Sequence, residues 1–370
     1  MRSGHVVVIG GYGFFGRRLV ERLSAHATLT ITIAGRSLAQ ATALANALQP
    51  KARAALRAVA LDIHAADFTR QLQALAPDVL IHTGGPFQGQ DYRVAYACIE
   101  TGVHYIDLAD GRAFVQGISA LNDAAARAGT LVVSGASSVP ALSGAAIDEL
   151  TRDMATVDTI DIGISPGNRT ERGLSTIQAI LSYCGKALPS SRAPVYGWSG
   201  TWRHRYPAPV GERLMSPCDV PDLALFPPRY PGTPHVRFGA GLELRFLHRG
   251  MNTMAALARA GLVKDWSRHT RWLKAASDWF LHWGSDVGGM HIRVDGRDAD
   301  GRACSRLWHL LATHGDGPYV PTLAAAALVR RFFEGTLPQR GAMPCVGLLT
   351  LADFAREIDG LAITMQEASA

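Results

Sequence analysis

Gly11, Gly13 and Gly16 have the spacing G-x-G-x-x-G and stand near the start of the chain. Glycine suits such a turn for three reasons: a sharp strand-to-helix bend, close approach of backbone to a pyrophosphate, and tight helix-on-strand packing. Val6, Val7, Val8 and Ile9 precede the turn as a buried-strand run, and an amphipathic pattern follows to Leu23. A helix starting there offers free N–H groups and partial positive charge to an anion. A plain glycine turn is the alternative, but strand before and helix after are the context a dinucleotide site requires. The candidate cofactor residues are Gly11, Tyr12, Gly13, Phe14, Phe15 and Gly16.

The next strand pattern, residues 29–34, runs into Gly35, Arg36 and Ser37. An NAD-preferring site places an acid there for the ribose 2′-hydroxyl. This chain has a guanidinium suited to phosphate, with a hydroxyl beside it. NADP(H) is therefore the expected cofactor, with Arg36 and Ser37 on its 2′-phosphate. A solvated strand-end arginine is the alternative. Asp62, expected to close a third strand, either approaches the adenine or caps the next helix. After a fourth strand, Thr83, Gly84, Gly85, Pro86 and Phe87 offer backbone with few bulky side chains, where a ribose or nicotinamide could lie close.

Strands are expected at residues 57–63, 78–82, 104–108 and 130–134, and helices at 15–25, 38–48, 67–75, 92–101 and 113–128. This is the βαβ rhythm of a doubly wound parallel Rossmann sheet, whose carboxyl edge takes the ligand. After about residue 140 the pattern changes to a second, mixed-sheet α+β domain. It comprises a strand at 159–164, a helix at 173–185, a Pro/Gly/Trp-rich stretch at 189–234, a strand at 235–248 and a helix at 252–261. A hairpin follows, with strands 290–294 and 302–312 about a turn at Asp298, Ala299, Asp300 and Gly301. The expected division is 1–140 for the cofactor domain and 141–317 for the substrate and dimerisation domain, with 318–370 returning to the first through a helix at 321–333.

The chain has 370 residues, 48% hydrophobic and 18% charged, enough for two packed domains. Its net charge is +6, but the basic residues are dispersed, so nucleic acid is not the expected partner. Five separated cysteines without a C-x-x-C pair read as reduced thiols of a cytoplasmic protein. Thirteen histidines form no H-x-x-x-H or H-E-x-x-H pair on an expected helix, so no metal is expected. Residues 264–284 carry Trp266, Trp272, Trp279 and Trp283 flanked by Lys and Arg. The last three share a helical face by their spacing. A core or interface helix, a lid over an apolar substrate, and peripheral membrane contact are the readings it leaves open.

The run TGGPF at 83–87 is followed by Ala97-Cys98, Thr101-Gly102, His104-Tyr105 and Asp107-Leu108. Over about residues 5–145 this resembles the saccharopine dehydrogenase family, in particular the NADP-binding domain of its saccharopine-reductase-like members. The run SGASSVPALS at 134–143 is similar to the family's crossing into its second domain. The resemblance implies a Rossmann domain, NADP(H), a mixed-sheet second domain and a homodimer. Its better-known members interconvert an amine-linked dicarboxylate with an imine. Residues 150–315 show no equally clear match.

Imine reduction needs a proton on nitrogen as hydride reaches carbon, and a carboxyl or phenol at a strand's carboxyl end could supply it. Asp107 is the first catalytic candidate, with burial able to raise its pKa. Its structural alternative is capping of the following turn. Alternation points Tyr105 to the same face and His104 to the other, so Tyr105 is the candidate partner, with core filling as its alternative. Ser137 and Ser138 contact nicotinamide or substrate, or serve the turn. The expectation is an NADP(H)-dependent oxidoreductase, an imine reductase or its carbonyl equivalent, acting on a small or moderately apolar metabolite. A non-catalytic NADP-binding sensor or assembly protein, and a membrane-surface reductase of lipid-like substrates, are the alternatives.

Overall fold

Short runs of Val, Ile and Leu with no polar alternation become strands covered on both faces. In the computed structural model, which describes residues 3–190, 193–337 and 340–368, the six strands of this region are β1 (Gly4–Ile9), β2 (Leu29–Gly35), β3 (Ala55–Ala60), β4 (Val79–His82), β5 (His104–Asp107) and β6 (Leu131–Ser134), of which the edge strand β3 is partly exposed. Between them lie α1 (Phe14–Ser24), α2 (Leu38–Leu48), α3 (Phe68–Leu75) and α4 (Arg93–Thr101). All the strands are parallel, and a seventh, Gly341–Pro344, joins beside β6. The sheet order is Gly341–Pro344, β6, β5, β4, β1, β2, β3. The winding reverses between β1 and β4, which opens a crevice at their carboxyl ends. Register brings Ile9, Ala34, His82 and Asp107 to one level of that edge.

The chain divides into two compact units. The first is residues 1–142 with 319–349. Helix Val320–Glu334 belongs to it, and its buried Ala324 to Ala327 permit a close approach. The second unit is residues 143–318 with 350–370. Its sheet orders as Trp202–Arg205, Glu212–Pro217, His235–Ala240, Met154–Ser165, Gly288–Asp298, Ala303–Ala312 and Ile363–Ala368. Met154–Ser165 pairs parallel with His235–Ala240 and antiparallel with Gly288–Asp298, so the sheet is mixed.

Several expectations need correction. The tail does not all return to the first unit: Thr350 and Asp353 form a capping box that starts helix Leu351–Glu357, and Ile363–Ala368 pairs antiparallel with Ala303–Ala312. That pairing satisfies main-chain groups along an otherwise open edge. The third strand runs Ala55–Ala60 rather than 57–63, which leaves Asp62 in the loop beyond it. The expected helix 113–128 is broken into Arg112–Gly117, a tight turn Ile118–Leu121, and Asn122–Arg127. The strand expected at 235–248 ends at Ala240, and the helix that follows begins at Arg245 instead of 252. Here Gly241 bends the chain with its N–H on the Ile164 carbonyl, and His248 is buried against Ser216. The tryptophan segment is not one helix either: it is a turn Trp266–His269, a helix Thr270–Asp278 and an irregular stretch after it.

Candidate cofactor and active site

β1 ends at Ile9, and Gly10 turns the chain with φ +72°. Its N–H donates to the Ala34 carbonyl at 2.9 Å, Gly11 shares that carbonyl at 3.2 Å, and the Gly13 N–H returns to the Gly10 carbonyl at 2.8 Å. A Cβ would lie 2.8 Å from the Val8 oxygen on Gly11, 2.9 Å from the Gly10 oxygen on Gly13, and 2.1 Å from that same oxygen on Gly16. Only glycine fits this cradle. α1 then starts with no side-chain cap and no acid in its first turn, so its leading N–H groups are left for an anion. Phe14 and Phe15 stand edge to face at 4.8 Å, and the Arg18 guanidinium lies 4.3 Å over the Phe14 ring. The glycine that takes the left-handed conformation, Gly10, lies outside the G-x-G-x-x-G spacing. The Gly-Gly pair directly after the strand marks the turn but not which of its glycines takes that conformation.

Tyr12 serves as a brace. Its ring lies over Gly35, where any Cβ would come within 2.5 Å of it, and its hydroxyl accepts from the Ser37 N–H at 3.0 Å. The Ser37 hydroxyl caps α2 by accepting from the Gln40 N–H at 3.3 Å, which leaves its own proton to donate. Arg36 is exposed beside it, and among the described residues nothing holds its guanidinium by hydrogen bond or ion pair. Asp62 Oδ1 accepts from the His64 N–H at 3.0 Å within the loop after β3, and the N-cap position of α3 is held by Asp67, so Asp62 does not cap that helix.

Thr83 links β4 to the glycine turn. Its hydroxyl lies 2.9 Å from the Ile9 carbonyl and 3.1 Å from that of Gly10. Gln90 braces the following loop by donating to the Gly84 and Pro86 carbonyls at 2.9 and 2.7 Å. Gly84 and Gly85 keep that backbone bare. The Phe87 ring is buried against His82 and Phe114, which anchors the end of that loop. Apolar burial of an aromatic ring is worth more than leaving it at a wet edge.

Asp107 ends β5 and has no exposed surface. Its Oδ1 accepts three hydrogen bonds, from the N–H of Ala109 at 2.9 Å, the N–H of Gly135 at 2.8 Å and the hydroxyl of Ser134 at 3.0 Å. The bond from Ala109 is the turn-capping contact expected of its structural reading. Oδ2 has no hydrogen-bond partner among the described residues. Burial pushes the carboxyl up to about 6 against those hydrogen bonds. Tyr105 shares its face, fully buried, and burial and the neighbouring carboxylate hold the phenol well above its usual value. The phenol hydroxyl lies 3.4 Å from His82 Nδ1, and burial brings His82 down to about 4, so it is neutral at pH 7. His104 points the other way, accepting from the Leu131 N–H and packing on Phe332. His82, Tyr105 and Asp107 thus form a buried polar cluster under the crevice. Sequence reasoning missed His82, whose only signal was its place at the end of β4. Ser137 and Ser138 are buried in the turn after β6, where the Ser137 N–H donates to the Gly135 carbonyl at 2.8 Å.

Residues 6–133 match the family described as the saccharopine dehydrogenase NADP binding domain. Among solved structures, apo histidine-tagged saccharopine dehydrogenase (L-Glu forming) from Saccharomyces cerevisiae is similar at 14% identity and TM-score 0.69, over 99% of this chain and 100% of that one. GenD2 from gentamicin A biosynthesis, in complex with NAD, is similar at 13% identity and TM-score 0.45, over 100% of this chain and 97% of that one. A short-chain dehydrogenase from Sphingobium yanoikuyae, in complex with NADPH, aligns over 28% of this chain and 52% of its own at 17% identity and TM-score 0.22. The yeast likeness shows a shared fold, and the other two carry no further argument. No curated protein sequence matches the chain. The fold and the glycine cradle define the class, a Rossmann-type NADP-dependent oxidoreductase. Its residues 6–133 are similar to the NADP-binding domain of the saccharopine dehydrogenase family.

The placement of Arg36 leads to a specific expectation. A charge-assisted contact to the 2′-phosphate contributes about 1.5–3 kcal/mol. Arg36→Ala should therefore weaken NADPH binding by about 10- to 100-fold and leave NADH binding nearly unchanged, as read by fluorescence titration. Equal loss for both cofactors would remove Arg36 from the 2′-phosphate.

Proposed function

We propose that the protein transfers hydride between NADP(H) and a C=N or C=O carbon of a small or moderately apolar metabolite, with Asp107 handling the proton. The observation that carries this reading is the Asp107 carboxyl: buried at a strand's carboxyl end, held rigidly through Oδ1, unpartnered at Oδ2, and pushed up to about 6. A group near that value can both give and take a proton at neutral pH. The bound nicotinamide supplies the hydride. The chain's own residues then have four tasks. Gly10 to Gly16 admit the pyrophosphate to bare backbone, Arg36 and Ser37 hold the 2′-phosphate, and Thr83 to Pro86 leave room at the nicotinamide side. Asp107 holds or releases a proton at Oδ2, with Tyr105 and neutral His82 setting its surroundings. A homodimer is part of the proposal, by analogy with the family.

Asp107→Asn tests it. In NADPH-consumption assays over a panel of imines and ketones, kcat should fall by about 10²- to 10⁴-fold, with the NADPH dissociation constant nearly unchanged. The pH limb near 6 should vanish. Tyr105 favours the ionised carboxylate, so Tyr105→Phe should move that limb upward and leave much of the turnover. Full turnover and an unaltered pH profile in folded D107N would end the assignment. The same variant reports stability. Because the folded carboxyl is raised, its contribution is full below the ordinary value near 4 and is lost as pH rises through about 6. The D107N protein should lack that decline in urea melts across pH 4–6.

A further inference from the structure

Residues 245–284 carry seven Lys and Arg against two Asp, a net charge of +5 in a chain whose total is +6. The same stretch exposes large apolar side chains: Trp279 at 81%, Trp272 at 79%, Leu262 at 73% and Trp283 at 56%. Trp272 and Trp279 are seven residues apart, in the first turn and at the C-cap of helix Thr270–Asp278, and so share its outer face. Trp283 is braced edge-on by Phe280 at 5.3 Å and by the half-exposed Phe246 at 5.9 Å. Trp266 instead turns inward, donating to the Met254 carbonyl at 2.8 Å. Beside Trp272 an open groove of about 560 Å³ is lined by Arg268, Arg271, His269, Ser267 and Leu174. The local acids are engaged: Asp278 pairs with Lys274 at 2.6 Å, and Asp265 accepts from the Ser267 N–H at 2.9 Å. Among the described residues, no carboxylate forms an ion pair with Arg268 or Arg271.

We propose that this face docks on an anionic phospholipid bilayer, with the tryptophans in the interfacial layer and a lipid headgroup phosphate in the groove between Arg268 and Arg271. Indoles with a wet polar tip, flanked by cations, match the boundary between headgroups and acyl chains. The charge selects an anionic surface and opposes a second copy of the same face, which would set +5 against +5. Contact is peripheral: no helix among the described residues is long and apolar enough to cross a membrane. The proposal adds a location to the activity and does not depend on the reaction.

Flotation of the full chain with vesicles of phosphatidylcholine, alone or with phosphatidylglycerol, tests it. Binding should require phosphatidylglycerol, weaken with salt and shift indole emission to the blue. Removing Trp272 and Trp279 together (W272A/W279A) should weaken it at least about ten-fold. Arg268→Ala and Arg271→Ala should each weaken it about five-fold. NADPH binding should be unchanged in all these variants. The proposal fails if neither vesicle floats the protein, or if the variants float as wild type does. It also fails if the tryptophan pair instead dissolves a lipid-independent dimer, or if the face binds duplex DNA in preference to vesicles.

Discussion

Gly16→Ala should abolish NADPH binding, weakening it by about 100-fold or more, and should lower the melting temperature of the first unit. The added Cβ would lie 2.1 Å from the Gly10 oxygen and 2.8 Å from both the Gly10 carbonyl carbon and the Gly11 Cα, all of them backbone. That backbone cannot yield cheaply. The Gly10 N–H is held by Ala34, its carbonyl by the Gly13 N–H, and Thr83 closes on the same turn. The intrinsic gain of about 1 kcal/mol for alanine in a helix is therefore outweighed by overpacking, typically 1–3 kcal/mol and more against fixed atoms. Relief comes only by lifting α1 off β1, which takes its free N–H groups away from the pyrophosphate. Gly250→Ala provides the contrast. Gly250 lies inside helix Arg245–Arg259 with open space where its Cβ would go, so there the same substitution should stabilise by about 0.5–1 kcal/mol. Urea melts and cofactor titration of both variants read the two signs.

Glu243→Ala should cost the second unit about 3–5 kcal/mol in urea unfolding, the range for breaking a buried ion pair from one side. Glu243 Oε2 accepts from the N–H of Asn168 at 2.7 Å and of Ser285 at 2.9 Å, and Oε1 from the Ser285 hydroxyl at 2.6 Å and Arg213 at 3.3 Å. The Arg213 and Glu243 side chains are only 9% and 12% exposed. Burial works against the carboxylate, yet the bonds from Ser285 and Asn168 and the charge of Arg213 hold it below its ordinary value. Its contribution is therefore present above the unfolded pKa and lost as pH falls through the folded one, so E243A should flatten the acid side of the stability profile. Removing both charges, with Arg213→Leu and Glu243→Leu together, should recover much of the loss, because the unpaired buried guanidinium is then gone. A double variant no better than E243A would assign the cost to the orphaned N–H groups of Asn168 and Ser285.

What could be read along the chain was local. The glycine spacing, the apolar strand runs, Arg36 where an acid would mark NAD, and the alternation of Tyr105 with Asp107 are each set by neighbours within a few residues. They were enough for the Rossmann order and its NADP(H)-binding edge. Even within that edge, which glycine takes the positive φ was not readable, because the choice of Gly10 depends on Ala34 and Thr83, far away in sequence. The ring contact of Phe87 with Phe114, 27 residues on, was likewise not readable.

Tertiary structure alone decided the rest. It joined His82 to Tyr105 and Asp107 across β4 and β5, set Tyr12 against Ser37, and gave Glu243 its partners from two distant loops and strand Glu212–Pro217. It divided the tail, because strand Ile363–Ala368 completes an edge that the tail's own pattern does not name. It also turned Trp272, Trp279 and Trp283 outward, where helical spacing could say only that they shared a face. Periodicity reports which residues point together. What they point at is set by segments distant in sequence, and burial, carboxyl pKa and the charged surface all follow from that.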